Sequence, residues 1–136
     1  MNSEQVQLVQ SSFAKVAPIA DTAADLFYTR LFELDSDIQP MFKGDMKEQG
    51  RKLMQTLGLV VNSLDNLERV LPAVKNLARR HVDYGVKPEH YDTVGAALLW
   101  TLEKGLGPDF TPEVKGAWTE AYVILAGVMK ETAYPH

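Results

Sequence analysis

Apolar residues recur at helical spacing along most of the chain, and this repetition restricts the possible folds more than any other feature of the sequence. The clearest stripe, which begins after about Lys47, consists of Leu53, Leu57, Val60, Val61 and Leu64. Residues three and four apart lie on one face of a helix, and an apolar face this wide must be buried against other helices. No stretch alternates apolar and polar residues long enough to favour a β-strand. The sequence therefore predicts an all-α fold.

Capping residues, glycines and prolines divide the chain into about six or seven helices. Ser3 is expected to cap a first helix that runs to about Ala17. Gly85 is expected to end a helix in a left-handed conformation, and Thr111 to cap the last one. The stretch 35–45 is rich in turn formers, which favours a short helical turn and a corner. The other helices are expected over about 19–34, 47–64, 71–83, 88–105 and 112–132.

Composition narrows the class of protein. A chain of 136 residues that is 46% hydrophobic fits one globular domain over residues 1–136. The net charge is −4 and the cations are scattered, which argues against a nucleic-acid partner. There is no cysteine, so thiol catalysis and disulfides are excluded. The start of the chain resembles no signal peptide, no apolar run is long enough to span a membrane, and a cytoplasmic location is expected.

His81 continues the apolar series Val70, Val74 and Leu77, so it faces the core of the fold. A buried imidazole without a hydrogen-bond partner costs roughly 1–3 kcal/mol. One interpretation is a core histidine that bonds to a backbone carbonyl near Leu77 or is charged at the helix C-terminus. The other is a neutral imidazole that donates through one nitrogen and offers the second to a metal. Spacing alone favours the first interpretation and leaves the second open.

A metal at His81 would need ligands that the histidines do not supply. His90 and His136 do not lie at the offset that shares a helix face with His81, and His90, beside Glu89, is expected to be exposed. A structural zinc site needs four ligands. A porphyrin brings four nitrogens of its own and needs one histidine, so haem is the most economical choice.

Several stretches in order and at the right spacing resemble the globin family, closest in pattern to bacterial single-domain globins and the globin part of flavohaemoglobins. They are LFYTRLF at 26–32, PMFKGD at 40–45, EQGRKLMQTLG at 48–58, RRHVDYGVKPEHYDTVG at 79–95 and AWTEAYVILA at 117–126. Together they cover nearly the whole chain. The resemblance implies a globin fold around a haem pocket, with haem b as the cofactor.

The resemblance also implies roles for individual residues. His81 corresponds to the proximal ligand of the iron, and Phe42 to the phenylalanine that stacks on the porphyrin. Tyr28 and Gln49 correspond to distal positions, and Leu53 shares the face of Gln49. Further haem contacts are implied for Lys52 and Arg80, near the propionates, and for Leu77, Val86, Tyr91, Val94 and Leu98.

Each of these residues also has an ordinary structural interpretation. Tyr28 could pack its ring in a helix and extend its hydroxyl to water, and Gln49 could be a solvated first-turn residue. Lys52 and Arg80 could simply be exposed. The apolar residues of the set could be plain helical core, which is compatible with contact to haem.

For the function, the resemblance implies reversible binding of dioxygen to ferrous iron. Donors such as the Tyr28 hydroxyl and the Gln49 amide would stabilise the charge that dioxygen acquires, whereas carbon monoxide would gain less. Glutamine ligates iron poorly, so the sixth position should stay open to dioxygen, carbon monoxide or nitric oxide. Nitric oxide dioxygenase activity and a haem-free helical interaction domain are the alternatives. Storage, delivery, sensing and detoxification all remain open as biological roles.

The sequence departs from the flavohaemoglobin pattern in two places. It ends at His136 without a reductase domain, so repeated turnover is expected to need a separate reductase. In flavohaemoglobins a glutamate joins the proximal histidine and the tyrosine that corresponds to Tyr91. Counting from Tyr122, that glutamate aligns with Ala133, and Glu131 lies about 200° away around the helix. A strong electron push from such a network is therefore not expected.

Overall fold

The computed structural model describes residues 2–42 and 44–134, and the all-α expectation is confirmed there. Six α-helices account for most of these residues: α1 (Ser3–Val16), α2 (Ala20–Leu34), α3 (Met46–Asn62), α4 (Leu71–Asp83), α5 (His90–Leu106) and α6 (Pro112–Ala133). Short 3₁₀ helices lie over Ala17–Ile19, Ser36–Met41, Leu67–Arg69 and Gly107–Asp109. None of the helices in this part of the chain is long and apolar enough to cross a bilayer.

Most helix ends follow from local chemistry. Asp45 caps α3 by accepting from the Lys47 amide at 2.9 Å, and Thr111 caps α6 by accepting from the Val114 amide at 3.2 Å. Gly85 has φ +91°, the left-handed conformation expected after α4. The prediction that Ser3 caps α1 is wrong, because the Asn2 side chain accepts from the Gln5 amide at 2.8 Å while Gln5 bonds back at 3.0 Å.

The start of α5 is also later than predicted. Pro88 does not lie in the first helical turn, since α5 begins at His90. The intervening residues form a turn closed by bonds of the i to i+3 type, from the His90 amide to the Lys87 carbonyl and from the Tyr91 amide to the Pro88 carbonyl. The His90 imidazole accepts from the Lys87 amide at 3.0 Å and so stabilises this turn instead of a longer helix.

In the part of the chain that the structure describes, the helices enclose three apolar clusters. The largest surrounds Trp118, whose indole donates to the Ser12 hydroxyl at 2.8 Å. A second lies between α4 and α6 around Val74 and Ala126, and a third lies among α2, α3 and α5 around Tyr28 and Ala97. The closely packed pairs include α2 with α5, α4 with α6 and α2 with α3. Within the described residues α3 and α4 are not such a pair, although Val60 of α3 packs with Val74 of α4 in the second cluster.

Candidate functional site

His81 lies in the last turn of α4 with its ring partly buried. Its Nδ1 is 2.7 Å from the Leu77 carbonyl oxygen, and a carbonyl can only accept, so Nδ1 carries the hydrogen. Burial is the main cause that lowers the pKa of His81; Arg80 lowers it further, and the bond to Leu77 opposes both. The neutral form with Nδ1 protonated is therefore favoured, which leaves the Nε2 lone pair available to a metal.

Around His81, the described part of the chain offers no complete set of protein ligands for a metal. No group of three or more histidine, aspartate or glutamate side chains that could hold a metal occurs within the described residues. His136, whose spacing from His81 argued against a shared metal site, lies outside the described residues. An iron at His81 would therefore need a chelator that brings its own donor atoms.

Tyr28 lies on α2 with its side chain buried. The hydroxyl points to α3, where it donates to the Gln49 carbonyl oxygen at 3.4 Å. This is long for an O–H···O bond, for which about 2.7–2.8 Å is usual. Burial raises the pKa of Tyr28 to about 12, so the hydroxyl is a neutral donor at pH 7.

Gly50 explains how Tyr28 comes so close to α3. A Cβ atom added to Gly50 would lie 2.9 Å from the Cβ of Ala24, closer than side-chain carbons approach one another. The helix pair can therefore cross at this distance only with glycine at position 50 and a small residue at position 24. Gln49 and Gly50 follow one another on α3, so the same crossing brings the Gln49 carbonyl to Tyr28.

Phe42 and Tyr28 lie together in the third apolar cluster. Their ring centroids are 5.3 Å apart in an edge-to-face arrangement, and Phe32 lies 5.5 Å from Phe42. Three other residues of the predicted set pack against the same cluster: Leu53, Val94 and Leu98. The structure thus brings together five predicted residues from α2, the corner after it, α3 and α5.

The remaining apolar members of the predicted set belong to the cluster between α4 and α6. Leu77, Val86 and Tyr91 all pack there. The Tyr91 hydroxyl is buried and has no hydrogen-bond partner within the described residues, and burial, with Tyr134 nearby, raises its pKa to about 12. An unpaired buried hydroxyl costs free energy, so this position favours a partner that the described residues do not supply.

Lys52 and Arg80 are both exposed. The Lys52 ammonium lies 3.9 Å from the Glu48 carboxylate, an ion pair of a kind that contributes little at the surface. Contacts of either cation with propionates stay predictions, as do the individual roles of the other residues in the set.

Sequence reasoning missed three contacts near the site. The Tyr122 hydroxyl donates to the Tyr91 carbonyl at 2.5 Å, and the Tyr134 hydroxyl donates to the Val86 carbonyl. Burial is the main cause that raises the pKa of both hydroxyls. A Cβ at Gly95 would lie 2.8 Å from the Tyr122 ring, so glycine there was the one available signal of this packing. Glu131 is exposed.

His90 is the third miss, because it is buried and not exposed as expected. Its Nδ1 accepts from the Lys87 amide, and its Nε2 lies 4.0 Å from the Asp35 carboxylate at the end of α2. The position of His90 at a helix start beside Glu89 suggested that its side chain is exposed to solvent. The sequence did not reveal that Asp35, from a distant part of the chain, lies next to it.

A family model described as Globin matches residues 25–129. The chain is 33% identical over 129 residues to a flavohemoprotein of Xylella fastidiosa and 31% identical over 132 residues to one of Vibrio cholerae. These matches cover 93% and 94% of the chain but 32% and 33% of the relatives, so the chain spans about a third of their length.

Two solved structures have similar folds over nearly their whole length. A bacterial globin from Campylobacter jejuni is 28% identical with a TM-score of 0.86, and the match covers 97% of this chain and 96% of the other. An engineered carbene transferase from Rhodothermus marinus, whose name assigns it provisionally to the nitric oxide dioxygenases, is 26% identical with a TM-score of 0.89 and coverages of 98% and 93%. The chain belongs to the globin family.

Proposed function

We propose that the chain, as one domain over residues 1–136, binds haem b between α3 and α4 and takes up dioxygen reversibly. His81 is the proposed iron ligand through Nε2. The observation that carries this proposal is the 2.7 Å contact of His81 Nδ1 with the Leu77 carbonyl, which holds the hydrogen on Nδ1 and leaves the Nε2 lone pair for the iron. Membership of the globin family supports it independently.

The apolar chemistry of the residues around His81 and Tyr28 supports a macrocycle as the bound group. Phe42, Leu53 and Val94 offer apolar surface from three different elements, and Leu77 and Val86 do so beside His81. The Tyr91 hydroxyl, which is buried and has no partner in residues 2–42 and 44–134, supports a bound group or water on that side. Lys52 and Arg80 are exposed cations that could meet propionates at the rim.

When bound, haem supplies an iron atom that in its ferrous state takes up a diatomic ligand and shifts electron density onto it. We expect the Tyr28 hydroxyl to turn from the Gln49 carbonyl and donate to the partly negative ligand. The long bond of 3.4 Å supports this, because little is lost when it breaks. The Gln49 amide is the proposed second donor. Tyr28 keeps its proton well above neutral pH, since burial raises its pKa to about 12.

Stopped-flow measurement of oxygen binding and release by the purified ferrous protein tests this function. We expect a five-coordinate high-spin ferrous form by resonance Raman, because no described histidine other than His81 lies on α3 or α4. Autoxidation without a stable oxygen complex would contradict reversible binding. Absence of a carbonyl spectrum after reduction would instead favour the haem-free interaction domain.

Nitric oxide dioxygenase activity is a second candidate, which the name of the Rhodothermus marinus structure supports. That reaction joins nitric oxide and dioxygen into nitrate and takes one electron, which we propose comes from a separate reductase. Stoichiometric nitrate in a single turnover would show that the chain is competent. Slow or incomplete nitrate formation would leave oxygen binding as the direct activity. A cytoplasmic location also stays a prediction.

A further inference from the structure

His90 is a second histidine whose side chain is held inside the fold, and it belongs to none of the proposed haem contacts. It is 9% exposed and lies at the start of α5. Its Nδ1 is 3.0 Å from the Lys87 amide nitrogen, and an amide N–H can only donate, so Nδ1 carries the lone pair. The neutral ring therefore carries its hydrogen on Nε2, the opposite tautomer from that of His81.

The Nε2 atom of His90 lies near a carboxylate from another part of the fold. It is 4.0 Å from one carboxylate oxygen of Asp35. The other oxygen of Asp35 accepts from the Asp37 amide at 3.0 Å and so caps the 3₁₀ helix that leads to Phe42. One carboxylate thus contacts both the corner that carries Phe42 and the start of α5.

The Nδ1 atom of His90 leads, through Lys87, to the proposed iron ligand. Lys87 follows Val86, whose amide donates to the His81 carbonyl at 3.0 Å. The His81 ring in turn donates through its own Nδ1 to the Leu77 carbonyl at 2.7 Å. His90 therefore holds the turn whose backbone closes on the last helical turn of α4.

The turn between α4 and α5 depends on a small number of anchors. A Cβ added at Gly85 would have no atom within 4 Å, so the fold does not pack against the turn at that residue. Among the described residues, the side chains that bond to the backbone of this turn are the His90 imidazole and the Tyr134 hydroxyl. Segments with few buried contacts open most easily, so each anchor has a large share in fixing the turn.

The link through His90 also differs from an ordinary core contact in what it connects. Asp35 ends α2, the helix that carries Tyr28, while Lys87 lies six residues after His81. One imidazole thus joins the distal and proximal sides of the proposed haem site. A contact that only stabilised the fold would change the free energy of unfolding and leave the His81 ring unaffected.

We propose that His90, oriented by Asp35, is a positioning residue that holds the turn after α4 and thereby keeps the bond between the His81 ring and Leu77. This inference rests on the proposed function, since it concerns a haem iron at His81. A bond from the second ring nitrogen to a carbonyl orients a metal-binding imidazole and raises its basicity. A looser turn weakens that bond, so His81 becomes a weaker electron donor to the iron.

Two substitutions separate the two ring nitrogens of His90. In His90→Asn the side-chain oxygen takes the place of Nδ1 and keeps the bond to the Lys87 amide. In His90→Gln a polar group remains near Asp35, but the acceptor at the position of Nδ1 is lost. Asp35→Asn keeps the cap on the Asp37 amide and removes the charge that orients the ring. Glu89→Gln, an exposed change at the neighbouring residue, is the control.

Pyridine haemochrome assays first establish the haem content, because wild-type protein without haem would contradict the proposed function itself. Exchange of the Lys87 amide hydrogen is then followed by NMR on the ferrous carbonyl protein. We expect it to be about 2- to 10-fold faster in His90→Gln, as the loss of one hydrogen bond implies, and close to wild type in His90→Asn.

The decisive measurement is the iron–histidine stretching frequency of the ferrous protein by resonance Raman, which a merely structural role would not change. We expect a lower frequency in His90→Gln, a smaller decrease in Asp35→Asn, and wild-type values in His90→Asn and Glu89→Gln. Thermal unfolding of the same samples separates this effect from a general loss of stability.

The inference is wrong if His90→Gln contains haem and keeps the wild-type frequency although the Lys87 amide exchanges faster, because the turn then moves without His81. Equal decreases in His90→Asn and His90→Gln would assign the effect to lost packing of the imidazole and would also overturn it. Should His90→Gln fail to fold, Asp35→Asn decides: a lowered frequency supports the inference, and an unchanged one contradicts it.

Discussion

The Tyr28 hydroxyl lies 3.4 Å from the Gln49 carbonyl between α2 and α3, whereas the Tyr122 hydroxyl lies 2.5 Å from the Tyr91 carbonyl between α5 and α6. Both tyrosines reach across a helix crossing made close by a glycine, Gly50 in one case and Gly95 in the other. The longer bond can be exchanged for a bond to a ligand at little cost, while the shorter one holds two helices together. Two tyrosines in similar helix crossings are thus suited to different tasks. Tyr28 is suited to contact with a ligand, and Tyr122 to the stability of the fold.

Tyr28 can act on a bound ligand only if His81 holds haem, so replacing His81 should have the largest effect. We expect His81→Ala to lose most of its haem, and with it the stabilisation that a tightly bound ligand gives, about 4 kcal/mol at a thousandfold excess over Kd. Haem content by pyridine haemochrome and thermal unfolding check this. Asn76→Ala, an exposed change on the same helix, is the control. Normal haem content in His81→Ala would refute the ligand assignment.

Tyr28→Phe tests the chemical side of the comparison. Hydrogen bonds to charged groups contribute roughly 1.5–3 kcal/mol, so oxygen release should speed up by about 10- to 150-fold, with much less change for carbon monoxide. Gln49→Leu should have a smaller effect, and the two should not add. Tyr84→Phe serves as the control. Oxygen release within about twofold of wild type would show that Tyr28 is not the donor.

Gly50→Ala tests the helix crossing that brings Tyr28 to α3. The new methyl group meets Ala24 at 2.9 Å, and overpacking of this kind costs about 1–3 kcal/mol, partly offset by about 1 kcal/mol of helix propensity. We expect lower stability in chemical denaturation together with altered oxygen release. Adding Ala24→Gly should restore both. At Gly58 the nearest atom, in the Phe13 ring, is 3.4 Å away, so Gly58→Ala is the milder control.

Tyr122→Phe tests the structural side. It removes the bond to the Tyr91 carbonyl, and the loss in unfolding free energy should be about 1 kcal/mol. Oxygen release should remain unchanged, in contrast to Tyr28→Phe. A large change in oxygen release with unaltered stability would reverse the roles assigned to the two tyrosines.

The smallest effect concerns the pH dependence of the haem-free protein. Burial lowers the pKa of His81 in the folded protein below its usual value of 6.5. Between the lowered pKa of the folded protein and the usual pKa of the unfolded chain, the unfolded chain binds the proton more readily. Stability should therefore be lost as pH falls from about 6.5 towards the lowered pKa, and regained as pH rises. Urea midpoints across this window should depend less on pH in His81→Leu. Equal slopes in the two proteins would contradict a lowered pKa.

Sequence patterns predicted the helices because each helix must bury a stripe that is local in the chain. α4 was predicted over the same residues that the structure shows, since a proline and a glycine mark its ends. Errors occurred where two local signals compete, as at Asn2 against Ser3 and in the turn before His90. The position of a helix end is then decided by which side chain bonds to the free backbone amides, and the spacing of apolar residues does not reveal that choice.

Contacts between distant segments could not be predicted in the same way. His90 is buried beside Asp35, which lies at the end of a helix far away in the sequence. The Tyr91 hydroxyl is buried between helices and has no partner among the residues that the structure describes. The composition of one segment does not indicate which distant helix it contacts. The grouping of Tyr28, Phe42, Leu53, Val94 and Leu98 was accessible only through the resemblance to a family, whose order of motifs carries information about the whole fold.

The 2.9 Å approach between an added Cβ at Gly50 and Ala24 also has an evolutionary consequence. A single methyl group gained at position 50, or lost at position 24, would alter the spacing of two helices and so the reach of the Tyr28 hydroxyl. Selection for faster or slower gas exchange could therefore act on small apolar residues, while every polar group of the site stays the same. Divergence among relatives in ligand retention would then follow residue volume at this crossing.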